Sequence, residues 1–421
     1  MRINKTILAN KKEKRAVCTI YSLLILMICI DAFLSSFVVS TLIRGTELFS
    51  LTVILFNLYR LKRLGSLHLP QGSLRLSVLF LFAMIVTIVA RGNWNDSMQN
   101  LLLKLLDFYG FLSFVLPFII IPLPNARHLD IIKKVFFIGA LISIPLWILN
   151  IGQLVQDEFY GESVGMYMPV FAAFLWGFPF VKKSNRRICF AIWAIYIVLM
   201  ALNARRNMMF LLFSFGAIAY YCNNLSRFAK HRIQGIGLTI AAIIISILLV
   251  VPTFDFLSGN VFGRFSNHIG EDTRSYVEEL FLLDFTSSPI EDWIWGRGLD
   301  GSYYQEMINY DTGEVKTDRS GIETGYLNNI LKGGVLYASV IVVIMLACLF
   351  RSIRVKNIYS VYLRLVFLMF FVDLYSTVLM GYFGVKSVLF WFCVSLAMSR
   401  EYPHMGQTRL TMRRIAKSKT R

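Results

Sequence analysis

Long apolar runs alternate with short polar clusters along the whole chain, and the runs set its scale. A helix needs about twenty apolar residues to cross the hydrocarbon of a bilayer. Runs of that order predict helices over 16–36, 42–60, 74–91, 101–122, 131–151, 164–181, 188–204, 207–222, 236–257, 325–350, 359–380 and 383–398. Within them apolar residues are contiguous rather than alternating, so the pattern is not that of barrel strands, and backbone groups in lipid must then be satisfied within helices. The expected fold class is all-α: a polytopic integral membrane protein of about 12 transmembrane helices.

The polar clusters carry an orientation. "YRLKRLGSLHLPQGSLR", "NARHLDIIKK", "KKSNRR", "NNLSRFAKHR" and "RSIRVKN" are basic, whereas the intervening "RGNWNDSMQN" and "GQLVQDEFYGES" are not. Basic loops stay on the cytoplasmic side, so both termini are expected inside. The basic tails at either end are expected to rest on anionic lipid. No small-residue cleavage site follows the first run, which reads as an uncleaved span.

This divides the chain into 1–257 with nine spans, a loop over 258–322, three spans over 323–398 and a basic cytoplasmic tail over 399–421. The loop is expected outside and holds twelve acidic residues, with Asp255 at its entrance. A loop of that length with its own structure is usually functional. "DTRSYVEELFLLDF" within it has helical spacing and predicts an amphipathic helix against the membrane.

Composition narrows the function classes. Of 421 residues, 56% are hydrophobic and only 16% charged, which suits a membrane protein. The net charge of +18 is spread over loops and tails, a positive-inside pattern rather than a nucleic-acid surface. Six cysteines lie in or beside the apolar runs with no C-x-x-C pair, so neither disulfides nor a zinc site is expected. No Walker sequence and no D-x-D pair occurs, and nothing calls for a metal or another cofactor. "GRGLDG" alone does not make a nucleotide loop.

Two constellations point to chemistry. "ALNARRNMMFLLF" puts Arg205 and Arg206 in a short turn on the outer side, against the charge bias. Headgroup snorkelling is one reading. The other is an anion site, because guanidinium forks bind phosphate oxygens bidentately and a helix start adds free N–H groups. "RSGIETGYLNNILKGGVLY" runs a polar stretch into the tenth span. Glu323 stands at its mouth, either as a functional carboxylate or as an exposed interfacial or helix-start charge, and 325, 328, 329 and 332 share one helix face, which is expected to look into the bundle or a wet cavity. Gly333 and Gly334 are read as a close-approach site. Asp31, Glu47, Lys104, Asp107 and Asp373 are further charges inside runs; Arg44 and Arg91 lie at outer ends.

In this arrangement the chain resembles the bacterial O-antigen polymerase/ligase family of membrane glycosyltransferases. "NARRNMMF", "IWGRGLDGSYY" and "ETGYLNNILKGGVLY" carry the resemblance, in that order around one long loop. The ligases of the family typically carry a His-Asn pair three residues before the aromatic position; here Glu323 and Thr324 stand there, which favours the polymerase branch. The resemblance implies transfer between undecaprenyl-diphosphate-linked glycans at the outer face of the bacterial cytoplasmic membrane. Arg205 and Arg206 would stabilise the leaving diphosphate and Glu323 would serve as base. Arg274, Arg297 and Arg319 would bind a second diphosphate or sugar, with Tyr303, Tyr304, Tyr326 and Asn328 in the substrate site. A chain-length regulator is an implied partner. Transfer to another acceptor, as in the ligases, and flipping of lipid-linked oligosaccharide are the alternatives.

Overall fold

The computed structural model describes residues 2–34, 40–70, 73–95, 97–106, 110–156, 168–202, 206–224, 273–308, 315–376 and 383–405. The fold is predominantly helical. Before the loop come α1 (Arg2–Leu34), α2 (Ser40–Arg63), α3 (Ser73–Ala90), α4 (Met98–Leu105), α5 (Phe111–Ile120), α6 (Leu129–Gln156), α7 (Val170–Gly177), α8 (Lys183–Leu202) and α9 (Arg206–Asn223). The loop contributes α10 (Thr273–Thr286), α11 (Ile290–Trp295), β1 (Tyr303–Ile308) and β2 (Val315–Arg319). Then follow α12 (Gly325–Arg354), α13 (Ile358–Ser376) and α14 (Val385–Met398). The expected run 236–257 lies outside the described residues. The run 101–122 is two short helices, α4 and α5, rather than one, and Gly110 starts the second in a non-helical conformation.

Stacked and edge-on aromatic rings make the centre of the core. Phe136 on α6 stacks on Phe171 at 4.8 Å, and Phe174 on Phe178 at 5.0 Å along α7. Phe392 of α14 meets Phe136 edge-on, and Tyr362 of α13 donates to the Phe174 carbonyl. Gly177 lets α7 touch α9, since a Cβ there would lie 2.7 Å from the Ala219 Cα.

Hydrogen bonds sort the helix ends into two groups. At one end Glu13 of α1 accepts from Ser66, just past α2, and faces the His128 ring just before α6, each at 2.8 Å. Arg127 pairs with Glu401 beyond α14. Arg351 of α12 donates to the Met398 and Ser399 carbonyls, and Asn357 to that of Tyr402. Arg186 of α8 reaches the Phe178 carbonyl after α7. This end carries exposed Lys12, Lys14, Arg15, Lys62, Arg63, Lys183 and Arg400, and is called the basic end below. The loop unit sits at the opposite ends of α3 and α12.

Between the two ends the outer faces of several helices are apolar. Phe49, Leu55 and Phe56 on α2, Leu76 and Phe80 on α3, Ile195 and Val198 on α8, and Val343 and Phe350 on α12 are all exposed. Gly325–Arg354 and Ile358–Tyr375 are long and apolar enough to cross a membrane by length and composition.

The structure moves one boundary. A separate hydrophobic cluster joins Phe281, Phe285 and Tyr303 of the loop to Ile322, Leu327 and Leu331. A division at 322 therefore cuts through a continuous core. The break comes at Gly334, where φ 70 and ψ −178 interrupt α12. From Val335 onward α12 packs in the main core through Tyr337, Val340 and Ile341. That second piece is roughly 30 Å long, the thickness of bilayer hydrocarbon.

Candidate functional site

The loop unit is mounted on α12 by a two-way clasp. Backbone N–H groups of Arg297 and Gly298 donate to the Leu331 and Lys332 carbonyls, at 2.8 and 3.0 Å. The Lys332 ammonium returns to the Leu299 and Gly301 carbonyls, both at 2.9 Å. A break in a helix frees carbonyls from their i+4 partners, and here the loop satisfies them. Leu299 N–H also donates to the Ile88 carbonyl of α3, at 3.0 Å. The polar face expected to look into the bundle thus looks into the loop unit instead. Asn328 does the same, its side-chain oxygen accepting from the Ile322 N–H at 3.4 Å. Gly333 admits the close helix approach, a Cβ there falling 2.7 Å from Ile88 of α3, whereas Gly334 admits the loop backbone at Ile294.

Asp300 anchors the clasp sideways. It accepts from the Asn93 N–H at 2.7 Å and pairs with Lys104 at 3.4 Å. Arg91 lies 3.7 Å from Asp292. Arg44 pairs with buried Glu47 at 2.9 Å and caps the Leu106 carbonyl at 2.8 Å. Asp31 and Asp107 fall where side chains are outside the described residues.

The hairpin gathers three of the expected site residues. β1 and β2 run antiparallel with Tyr303 opposite Arg319. Gln305 accepts from the Tyr303 hydroxyl at 2.9 Å and from Arg319 at 3.0 Å. The other Arg319 nitrogen lies 3.6 Å from the Glu323 carboxylate. Glu323 is 61% exposed, which leaves it open to an incoming hydroxyl. Tyr303 is buried, and burial raises its pKa against the pull of Arg319. Its phenol is a neutral hydrogen-bond donor near pH 7, not a base. Strand alternation turns Tyr304 to the other face, where it donates to Glu306 at 2.6 Å; that bond raises its pKa too.

Of the remaining expected residues, Arg297 and Tyr326 stand apart from this group. Arg297 turns inward. Its guanidinium bonds Asp292 at 3.0 Å, Asp284 at 2.6 Å, Ser288 and the Ser302 carbonyl, and lies 4.6 Å over the Phe285 ring. Every nitrogen of its fork is engaged, so it organises the loop. Tyr326 stacks on Tyr375 of α13, with centroids 5.9 Å apart. Thr324 donates to Glu278 of α10. Arg274 is in α10, but its side chain is outside the described residues, as is that of Arg206; Arg205 is wholly outside them. His268 is also outside. The backbone of α9 is described from Arg206 onward. Asn223 at the far end of α9 donates to the Trp176 carbonyl, next to the basic end. α9 rises about 27 Å from there back to Arg206, toward the loop unit's end.

Sequence reading missed Gln305, the joint acceptor, and the hairpin itself. The residues "DTG" between "YYQEMI" and "VKTDR" were its signal. Among the described residues no group of His, Cys, Asp and Glu is arranged to hold a metal ion. Comparison with known families, curated proteins and solved structures finds no match to this chain.

Proposed function

We propose that this chain is a multi-pass membrane glycosyltransferase that polymerises lipid-diphosphate-linked oligosaccharide repeats at the outer face of a bacterial cytoplasmic membrane. The observation that carries the reading is the Tyr303–Gln305–Arg319–Glu323 group. It stands on a structured loop unit, at the end of an apolar-belted helical bundle opposite its basic end. Positive residues stay inside, and that polarity supports a loop unit on the outer side. The exposed apolar belt supports lipid contact by more helices than the two that are long and apolar enough to cross by themselves, and the reading keeps about 12 spans.

In the reaction the acceptor hydroxyl oxygen attacks the anomeric carbon of the growing chain. Its proton passes to the Glu323 carboxylate, and the bond to the lipid diphosphate breaks with both electrons leaving on oxygen. Arg205 and Arg206 hold the departing charge. Arg319, hydrogen-bonded to Gln305, fixes the flank of Glu323. Purified protein given lipid-linked repeats should lengthen them. Translocation without lengthening, or transfer to a different acceptor only, would replace this reading by a flippase or a ligase.

Two substitutions test the roles. Lysine keeps charge but lacks the planar fork, so Arg205→Lys or Arg206→Lys should lower polymer formation about a hundredfold or more at normal protein level. Wild-type polymer ladders in both lysine variants and both alanine variants would leave headgroup snorkelling as the explanation. Glu323→Gln keeps shape and removes the proton acceptor. It should reduce transfer at least about a hundredfold while lipid-diphosphate binding persists. Wild-type chain lengthening by the glutamine variant would reject the base role.

A further inference from the structure

A small cleft opens at the basic end, away from the candidate site. Its volume is about 100 Å³, and it lies between the connection after α2, the turn before α6 and the end of α14. The floor is apolar, made by Leu69, Ile121, Leu123 and Met398. The rim is polar: His68, Arg127, Ser399, Arg400 and Glu401. Arg127 is neutralised by Glu401 at 2.5 Å, with Glu13 behind it at 3.8 Å. Among the described residues neither the Arg400 guanidinium nor the His68 ring has a hydrogen-bond or ion-pair partner. Both are exposed, and Lys62 and Arg63 on the last turn of α2 are exposed nearby in the chain.

We infer that this cleft holds an anionic phospholipid of the inner leaflet, its phosphodiester between Arg400 and His68 and an acyl chain over the apolar floor. The inference rests on the membrane reading, not on the glycosyl-transfer chemistry. Charge complementarity favours this occupant: the net charge left on the rim is positive, and the floor beneath it is apolar. A phosphodiester fits a volume of this size, whereas the acyl chain continues along the exposed face of the bundle. Basic pockets between membrane helices on the cytoplasmic side take anionic headgroups on these grounds.

The test uses full-length protein in neutral detergent, relipidated with phosphatidylglycerol or with phosphatidylcholine of the same acyl chains. Native mass spectrometry reads retained lipid, and thermal melting reads stabilisation. Phosphatidylglycerol should be retained preferentially. Arg400→Gln and His68→Gln should each weaken its retention about fivefold relative to phosphatidylcholine. Lys183→Gln, an exposed basic residue elsewhere at this end, should change nothing. Equal retention of the two lipids overturns the proposal. So does an equal loss in Lys183→Gln, which would mean diffuse surface charge. So does stabilisation by inorganic phosphate alone, which would mean a free-anion site. Melting in phosphatidylcholine checks that each variant is folded, and the two variants on separate segments keep the test decisive if one is not. A protein that stays soluble without detergent would instead refute the membrane reading, and loss of polymerisation with intact lipid preference would refute the enzymatic one.

Discussion

Gly334→Ala should destabilise the protein by on the order of 3–5 kcal/mol, combining backbone strain with overpacking. The backbone there has φ 70 and ψ −178, a region that only glycine adopts without strain. A Cβ would also lie 2.1 Å from the Ile294 carbonyl oxygen and 2.6 Å from the Trp295 nitrogen. Those atoms are backbone, fixed by the clasp, and cannot rotate aside. Gly296 meets the same constraint from the other side, its Cβ falling 2.4 Å from the Gly333 nitrogen. Thermal denaturation of detergent-purified protein measures the effect. Gly45→Ala is the control, since its Cβ would meet nothing within 4 Å in α2. Alanine there should hold or gain stability through helix propensity. If Gly334→Ala melted with wild type, the break would not be a demand of the fold.

Lys386→Met should be comparably severe, at about 3–5 kcal/mol. Lys386 on α14 and Asp373 on α13 form an ion pair at 2.8 Å, with side chains 2% and 0% exposed. Methionine takes away the cation facing a fully buried carboxylate, and water cannot reach it as a substitute. Replacing both members with apolar side chains removes the burden together with its remedy. Lys386→Met combined with Asp373→Leu should therefore recover most of the loss. Detergent-resistant folded yield and melting temperature report both. A single variant as stable as wild type would show that the pair holds nothing together. A double variant no better than the single would show that the carboxylate has other essential work.

The positions of helices were legible because each element rests on a contiguous apolar run. α2, α3, α8, α12 and α13 all stand where such runs predict them. Breaks were harder to see. Gly110 and Gly334 interrupt helices, yet a glycine inside an apolar run reads the same whether it packs or bends. The role of Arg297 was hidden for another reason. Its three nitrogens are engaged by Asp284, Ser288, Asp292 and the Ser302 carbonyl, and spacing along the chain does not reveal which way a loop folds back. Asp373 stood out as a charge in an apolar run, but its partner Lys386 was overlooked on the next helix. Glu13 was lost among neighbouring lysines, although its pairing with His128 and Ser66 makes it the buried member of that stretch. At the candidate site, Glu323 and Arg319 were legible by type and place. Their link through Gln305 required strand register, which a polar hairpin does not advertise.

The clasp also fixes an order of events during synthesis. Ribosomes deliver Phe281, Phe285 and Tyr303 before Leu327 and Leu331, which complete the same cluster. Arg297 and Gly298 likewise emerge before the carbonyls of Leu331 and Lys332 that receive their N–H groups. The loop unit thus reaches its final form only after the first turns of α12 are made, whatever has already folded upstream. A nascent chain arrested before Leu331 carries the whole loop yet leaves those donors and rings unsatisfied, a state that quality-control proteases would recognise by its exposed apolar surface.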